Sequence, residues 1–385
     1  MDGIAGHKPA LVWVTNIAVV LLVFLWVFPT LGLFVSSFRT GDQISASGWW
    51  SSLFAAEQTV QLRAADPDDN RVDLGDGVFA VTGNFVEEGA LAGEIKGWGT
   101  SSRRLGEFAP GEVGDLGDGE TFVIETDGSY EWRGNDEQIS GRAQRVFIDA
   151  VVPPSFTLNN YRFVLFDEDN SEGMAKAFIN TLTVVIPATI IPILIAAFAA
   201  YALAWMDFPG RALLIAAIVG LLVVPLQLAL IPLLTLHNAI GIGKGYLGVW
   251  LAHTGFGLPL AIYLLRNYMV GLPKDIIENA KVDGATDFQI FVRIILPLSF
   301  PALASFAIFQ FLWTWNDLLV ALVFLIDSSG QTTVMTKQLV EMLGTRGGDW
   351  EILATSAFVS MVVPLVVFFA MQRYLVRGLL AGSVK

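Results

Sequence analysis

Apolar residues run in long, nearly unbroken blocks along this chain, and the polar interruptions stand out against them. A bilayer core about 30 Å thick needs roughly 20 apolar residues of helix to cross it. Six blocks meet that length: Leu11–Val35, Met174–Trp205, Ala212–Leu236, Leu247–Tyr268, Ser299–Ile326 and Ile352–Leu375. The first is too long for the core of a signal peptide and has no small-residue cleavage site, so it reads as an uncleaved anchor. Prolines punctuate the later blocks at 187, 192, 225, 232, 259 and 364. Each removes a backbone donor and tends to kink its helix. The bland reading is ordinary tolerance of proline in membrane helices; the functional reading is a set of bent helices lining a route.

The pattern changes between the first and second blocks. Over residues 40–155 the apolar positions alternate instead of running together, which is the period of half-buried strands. The stretch TFVIET at 121–126, Asp127-Gly128 and SYEW at 129–132 reads as a hairpin, with Phe122, Ile124, Tyr130 and Trp132 on alternate positions. Residues 66–76 and 111–120, rich in Asp and Gly, read as loops. The block is long enough to bury a small core of its own, and no repeat of 20–50 residues stands out.

Composition supports a membrane protein carrying a water-exposed insert. The chain is 54% hydrophobic and only 15% charged, with mean hydropathy +0.59; soluble domains are nearer 25% charged. It has no cysteine, which excludes disulfide and thiolate chemistry, and three histidines, His7, His237 and His253, too scattered for a metal cluster. The formal charge of −13 is uneven: residues 39–173 hold 25 acidic and 10 basic side chains, leaving 11 acidic and 13 basic for the rest. No basic patch exists to neutralise nucleic-acid phosphates. Among short loops, one side holds Lys8, Arg211, Arg266, Lys274, Lys281, Arg293, Arg373, Arg377 and Lys385, the other only Lys244, Lys337 and Arg346. The positive-inside rule then places both termini in the cytoplasm and the acidic insert outside.

One charged segment interrupts the apolar second half, ENAKVDGATDFQIFVRIILP at 278–297. Its charges cannot lie in hydrocarbon, and the charge rule puts it in the cytoplasm. A helix is expected to start at Leu272-Pro273-Lys274-Asp275, with Ile276, Ile277, Ala280 and Gly284 close to one face. Gly284 suits a left-handed turn, and a second helix should begin near Asp287 and run through Phe288, Phe291, Ile294 and Ile295 to Pro297. A helix lying on anionic lipid would be rich in Lys and Arg. Here Asp275, Glu278 and Asp283 outnumber Lys274 and Lys281, so a protein partner fits better.

A second polar group, Gln310, Trp313, Trp315, Asn316 and Asp317, falls inside the fifth block. An ionisable residue at that depth marks a functional site or is paired with a polar neighbour, for which Asn180 on another helix is a candidate. Aromatic faces with planar hydrogen-bonding groups would suit a sugar; helix packing is the structural alternative. Gln227 in the third block poses the same choice. The sequence GIGKG at 241–245 is no nucleotide loop, because its glycine spacing is wrong and no Ser or Thr follows the lysine.

The segment Glu278-Asn279-Ala280, Asp283-Gly284-Ala285, Phe291, Ile294 and Leu296-Pro297 resembles the "EAA" loop of permease subunits of binding-protein-dependent ABC importers, and most resembles the second permease of maltose-type importers, the α-glucoside branch in particular. Phe156–Tyr161, Asn180-Thr181-Leu182, Trp315-Asn316-Asp317 and Gln372–Gly378 are similar to other stretches of that family. The likeness covers residues 11–39 and 156–385 but not most of the insert, and Asn279 stands where the family usually has Ala. It implies an all-α polytopic fold, the type I ABC importer fold of six transmembrane helices, here with a β-rich extracytoplasmic insert between helices 1 and 2. The expected divisions are 1–39 for the N-terminus and first helix, 40–155 for the insert, and 156–385 for helices 2–6 with a coupling loop at 272–297. The resemblance also implies no catalysis on this chain. Glu278, Asn279, Ala280, Asp283, Gly284 and Ala285 would couple to a separate cytoplasmic ATPase dimer that holds the ATP and Mg; no cofactor is expected on this chain. The further partners implied are a second permease, an extracytoplasmic sugar-binding protein and a sugar, in a bacterial inner membrane. Competing readings are an ion-coupled secondary carrier, which would call for repeated halves and several buried carboxylates, and an ABC permease for a non-sugar solute. An enzyme sited in the insert is a further alternative, although the insert has no histidine.

Overall fold

The computed structural model describes residues 10–166, 174–326, 329–345 and 347–380; Lys8, Arg346 and Lys385, used in the charge count, lie outside them. Contacts divide the chain into two units, one made of residues through Tyr161 with Gly348–Thr355, the other of Arg162–Gly347 with Ser356–Lys385.

The first unit opens with α1 (Ala10–Ser36), a helix apolar on all sides whose surface is almost entirely exposed. Its end is fixed by polar groups. Asn160 Nδ2 donates to the carbonyls of Ser37 and Arg39, and Thr355 Oγ1 donates to Ser37 O at 3.1 Å. Thr40 then caps a short helix, Gly41–Ala46, in a reciprocal box with Gln43.

The insert follows as eight antiparallel strands: β1 (Ala56–Arg63), β2 (Arg71–Gly75), β3 (Val78–Asn84), β4 (Glu94–Gly99), β5 (Gly114–Gly117), β6 (Glu120–Ile124), β7 (Ser129–Asn135) and β8 (Arg145–Val152). They form a three-stranded sheet, β1-β8-β4, and a five-stranded sheet, β2-β3-β7-β6-β5. The expected hairpin is β6–β7, with Phe122 opposite Trp132 and Ile124 opposite Tyr130. All four are buried, sharing one core with Val81, Trp98 and Ile148. The loops expected at 66–76 and 111–120 are corrected: they contain edge strands β2 and β5. Their Asp-Gly pairs are the hairpin turns themselves. Asp76 and Gly77 have φ of +53° and +78°, Asp118 and Gly119 +52° and +82°, the double left-handed geometry of a two-residue type I′ turn.

In the second unit, α2 (Met174–Trp205) packs on α5 (Tyr246–Val270) and on α8 (Phe300–Trp315). Buried alanines at 188, 196, 197 and 200 on α2 and at 252 and 261 on α5 allow close approach. The third block is not one straight helix: α3 (Arg211–Leu221) and α4 (Leu226–Ala239) meet at 109°, with Pro225 capping α4. Proline lacks the N–H and constrains the residue before it, so the chain turns there. The fifth block is also interrupted. Its helix α8 ends at Trp315, and α9 (Leu319–Phe324) starts after a break at 316–318. Between α5 and α8 lie α6 (Lys274–Val282) and α7 (Asp287–Leu298), the latter bent by 69° against α8. The remaining helices are α10 (Met335–Thr345) and α11 (Trp350–Leu380). Among the described residues, four helices are long and apolar enough to cross a membrane, and two bent pairs raise the number to six if each is one span.

Candidate functional site

The charged segment forms a helix, a turn and a second helix. Pro273 is the N-cap of α6, Asp275 lies in its first turn and Lys281 in its last, so both charges favour the helix dipole. Gly284 has φ +81°. Gly284 N donates to Lys281 O at 3.0 Å and Ala285 N to Ala280 O at 3.0 Å, the paired bonds of a Schellman C-cap. Thr286 then caps α7 in a reciprocal box with Gln289. The turn is therefore specified by local bonds from Ala280 to Gln289, with the backbone N–H groups of Gly284, Ala285, Thr286 and Gln289 each finding an acceptor within it.

Only one edge of this handle faces the core. Ile277 is buried and Ala280 and Ala285 are half-buried, whereas Ile276, Glu278, Asn279, Asp283 and Gly284 are exposed. Glu278 and Asp283 make no ion pair among the described residues, so their carboxylates are free to accept from a partner. Val282 and Phe288 are 86% and 66% exposed on either side of the turn. The sequence places Phe288 in the second helix but marks neither residue as exposed; the available signal was their position off the buried face. In α7 the hydrogen bonding shifts to π register over Phe291–Ile295, which turns Phe291 and Ile295 inward with Ile290.

The polar residues of the fifth block have structural partners. Pro187, Pro192 and Pro364 each leave the carbonyl four residues earlier without its helical donor. Those carbonyls belong to Thr183, Ala188 and Ser360. Trp250 Nε1 donates to Thr183 O at 2.9 Å, Gln310 Nε2 to Ala188 O at 3.1 Å, and Trp315 Nε1 to Ser360 O at 3.0 Å. Each proline gap in these helices is thus closed by a side chain from a neighbouring helix, the kind of repair that makes proline tolerable in lipid. Gly257 is part of this fit: a Cβ there would stand 2.7 Å from Gln310 Oε1.

Asp317 caps α9, its Oδ2 accepting from Val320 N at 2.9 Å and Ala321 N at 3.3 Å. The neighbour proposed for it, Asn180, is corrected: His253 Nε2 stands 3.8 Å from Asp317 Oδ2, while Asn180 Nδ2 bonds Gln331 O and Thr333 O. Asn316 is exposed and donates to Leu312 O. Trp313 is 39% exposed, and Gln227 is exposed. In the glycine-rich turn at 241–245, Ile242 N and Gly243 N bond His237 O and Gly245 N bonds Phe324 O, so those amides are not free to cradle a phosphate.

Residues 174–380 match the family described as "Binding-protein-dependent transport system inner membrane component". The chain belongs to this family. The permease is 58% identical over 385 residues, 99% of either chain, to the alpha-glucoside transport system permease protein AglG of Rhizobium meliloti. It is 60% identical over 230 residues, 60% of this chain and 76% of the other, to the osmoprotective compounds uptake permease protein GgtD of Synechocystis. A trehalose transport system permease protein, SugB of Mycobacterium tuberculosis, is 34% identical over 243 residues, 61% of this chain and 84% of that one. The permease is accordingly an inner-membrane transport component of an ABC import system and not an enzyme. Family membership sets aside the ion-coupled secondary carrier. The family match contains both the handle and the fifth-block polar residues; the insert lies outside it, but the full-length likeness to the Rhizobium protein includes it.

Proposed function

We propose that this chain moves a sugar inward by alternating access, as one of two permeases driven by a separate cytoplasmic ATPase dimer that holds ATP and Mg. The observation that carries this reading is the handle: a locally capped helix and turn with free carboxylates at Glu278 and Asp283, and bare apolar residues Val282 and Phe288 beside the left-handed Gly284. Exposed apolar side chains rimmed by polar ones suit a protein partner. Glu278, Asn279, Ala280, Asp283, Gly284 and Ala285 enter a cleft of the ATPase, and the two half-buried alanines keep the approach close. Each bent helix pair counts as one span, giving six, with both termini cytoplasmic.

The divisions follow: 1–39 is an anchor with its N-terminus, 40–155 an extracytoplasmic domain, and 156–385 the transport core. The insert contacts the extracytoplasmic sugar-binding protein or caps the second permease. Trp313 and Asn316, whose surfaces are exposed, are the residues of the fifth block best able to meet cargo; Gln310, Trp315 and Asp317 hold the helices around them.

An α-glucoside or an oligosaccharide is the proposed cargo, because a relative that matches over the whole length, insert included, is named for alpha-glucosides. The relative named for osmoprotective compounds is as similar over 230 residues, which favours a non-sugar solute as the second reading. The assembled transporter should show ATPase stimulation by its binding protein loaded with an α-glucoside. Stimulation by non-sugar osmolytes alone would select the second reading. Deleting residues 45–150 should lower uptake and binding-protein-stimulated ATPase; unchanged values for both would refute the role given to the insert.

A further inference from the structure

Besides the apolar packing of Ile277, Ile290 and Phe291, the handle meets α2 through one carboxylate. Asp287 opens α7, and its Oδ1 accepts a hydrogen bond from Tyr201 Oη at 3.3 Å and stands 3.8 Å from Lys281 Nζ on α6. Tyr201 lies in the last two turns of α2 and is 5% exposed. Its ring also packs on Phe291 with centroids 5.3 Å apart, and Phe198, one turn earlier, reaches the same Phe291 at 4.6 Å. Phe291 is where α7 slips into π register; such turns carry an extra residue at a cost in stability and recur at functional positions. The end of α2, the end of α6 and the first turns of α7 thus converge on Asp287 and Phe291.

We propose that Tyr201 and Asp287 are positioning residues of the coupling step, tying α2 to the handle so that displacement of α6 moves α2. The inference rests on the reading of the handle as the ATPase dock. Without the tie, motion of α6 and α7 would be taken up at the rings around Phe291, where contacts slide more easily than a directional hydrogen bond breaks. Motion that does reach α2 is passed on, because Trp250 and Gln310 bond its two proline-freed carbonyls to α5 and α8. Lys281 adds little, since both it and Asp287 are about half exposed and such pairs are screened.

The test uses the complete transporter in proteoliposomes with its binding protein and reads solute taken up per ATP hydrolysed. A ratio per turnover is independent of how much of a variant inserts. Tyr201→Phe keeps the ring on Phe291 and removes only the hydroxyl; Asp287→Ala removes the acceptor. Each should lower the ratio about threefold to tenfold, the double variant should fall no further than the worse single one, and Asp287→Asn, which keeps an acceptor oxygen, should restore it. A wild-type ratio in Tyr201→Phe, with binding-protein-stimulated hydrolysis intact, overturns the inference and leaves the dock standing. Failure of the unaltered chain to associate with any ATPase overturns both.

Discussion

Trp315 offers a direct way to weigh a proline repair. Its indole N–H is 3.0 Å from Ser360 O, the carbonyl that Pro364 leaves unbonded within α11. Trp315→Phe keeps a ring between Phe311 and Phe178, which lie 5.6 and 6.0 Å from it, but removes the donor. Interhelical hydrogen bonds in membrane proteins average about 0.6 kcal/mol with a maximum near 1.7, and a buried acceptor left unpaired costs about 1–3 kcal/mol. A loss of about 1–2 kcal/mol is expected from the bond, and about 1 kcal/mol more from the smaller ring in a site only 1% exposed. Pro364→Ala supplies a backbone N–H to Ser360 O. In that background the bond component should vanish, so the double-mutant cycle should show coupling of about 1 kcal/mol. The assay is equilibrium unfolding in mixed detergent micelles, followed by helical circular dichroism for the four proteins. Additive effects, within about 0.5 kcal/mol, would refute the assignment of Trp315 as the repair of Pro364.

The insert permits sharper contrasts. Gly77 and Gly128 have φ of +78° and +88°, but a Cβ at Gly77 would meet nothing within 4 Å while one at Gly128 would stand 2.5 Å from Val86 Cγ2. Gly77→Ala should therefore cost only the conformational penalty of about 1–2 kcal/mol, and Gly128→Ala more, read from thermal midpoints; equal losses would refute the steric argument. Tyr130 is buried and its phenol is raised above the ordinary 10, chiefly by desolvation, with Glu88 adding to the shift and the Ala65 N–H opposing it. A group whose folded value is raised contributes stability that is present below its unfolded value and lost as pH rises through the folded one. Stability measured from about pH 9 upward should fall above 10, and less steeply in Tyr130→Phe; parallel curves would count against burial of the neutral phenol.

Much of the architecture was legible because membrane helices and half-buried strands have different periods. The second block coincides with α2, and the alternation of Phe122, Ile124, Tyr130 and Trp132 gave the β6–β7 pair. Strands β2 and β5 were hidden because the same Asp and Gly residues that suit loops also make type I′ turns, and the short edge strands beside them are polar or glycine-rich. Hydropathy could not see the break at 222–225, where leucine and valine run up to Pro225, and at 316–318 the polar pair Asn316-Asp317 is outweighed by the apolar residues on either side. The handle was read correctly as helix, Gly284 turn and helix starting near Asp287. The exposure of Val282 and Phe288 was not, because composition does not say which apolar side chains lack a neighbour. The polar residues of the fifth block were visible, but their partners were not. Matching Gln310 to Ala188 and Trp315 to Ser360 requires knowing which helices touch. The proline positions were the available clue, since each names the carbonyl it frees.

The coupling role of the handle depends most directly on Gly284. At φ +81° the position excludes proline, whose ring holds φ near −65°, and the α6–α7 turn cannot form around it. The most direct measurement is solute uptake by proteoliposomes carrying the complete transporter with Gly284→Pro, alongside a check that the chain inserts. Normal insertion with transport abolished is the expected result. Full uptake by the inserted variant would contradict it.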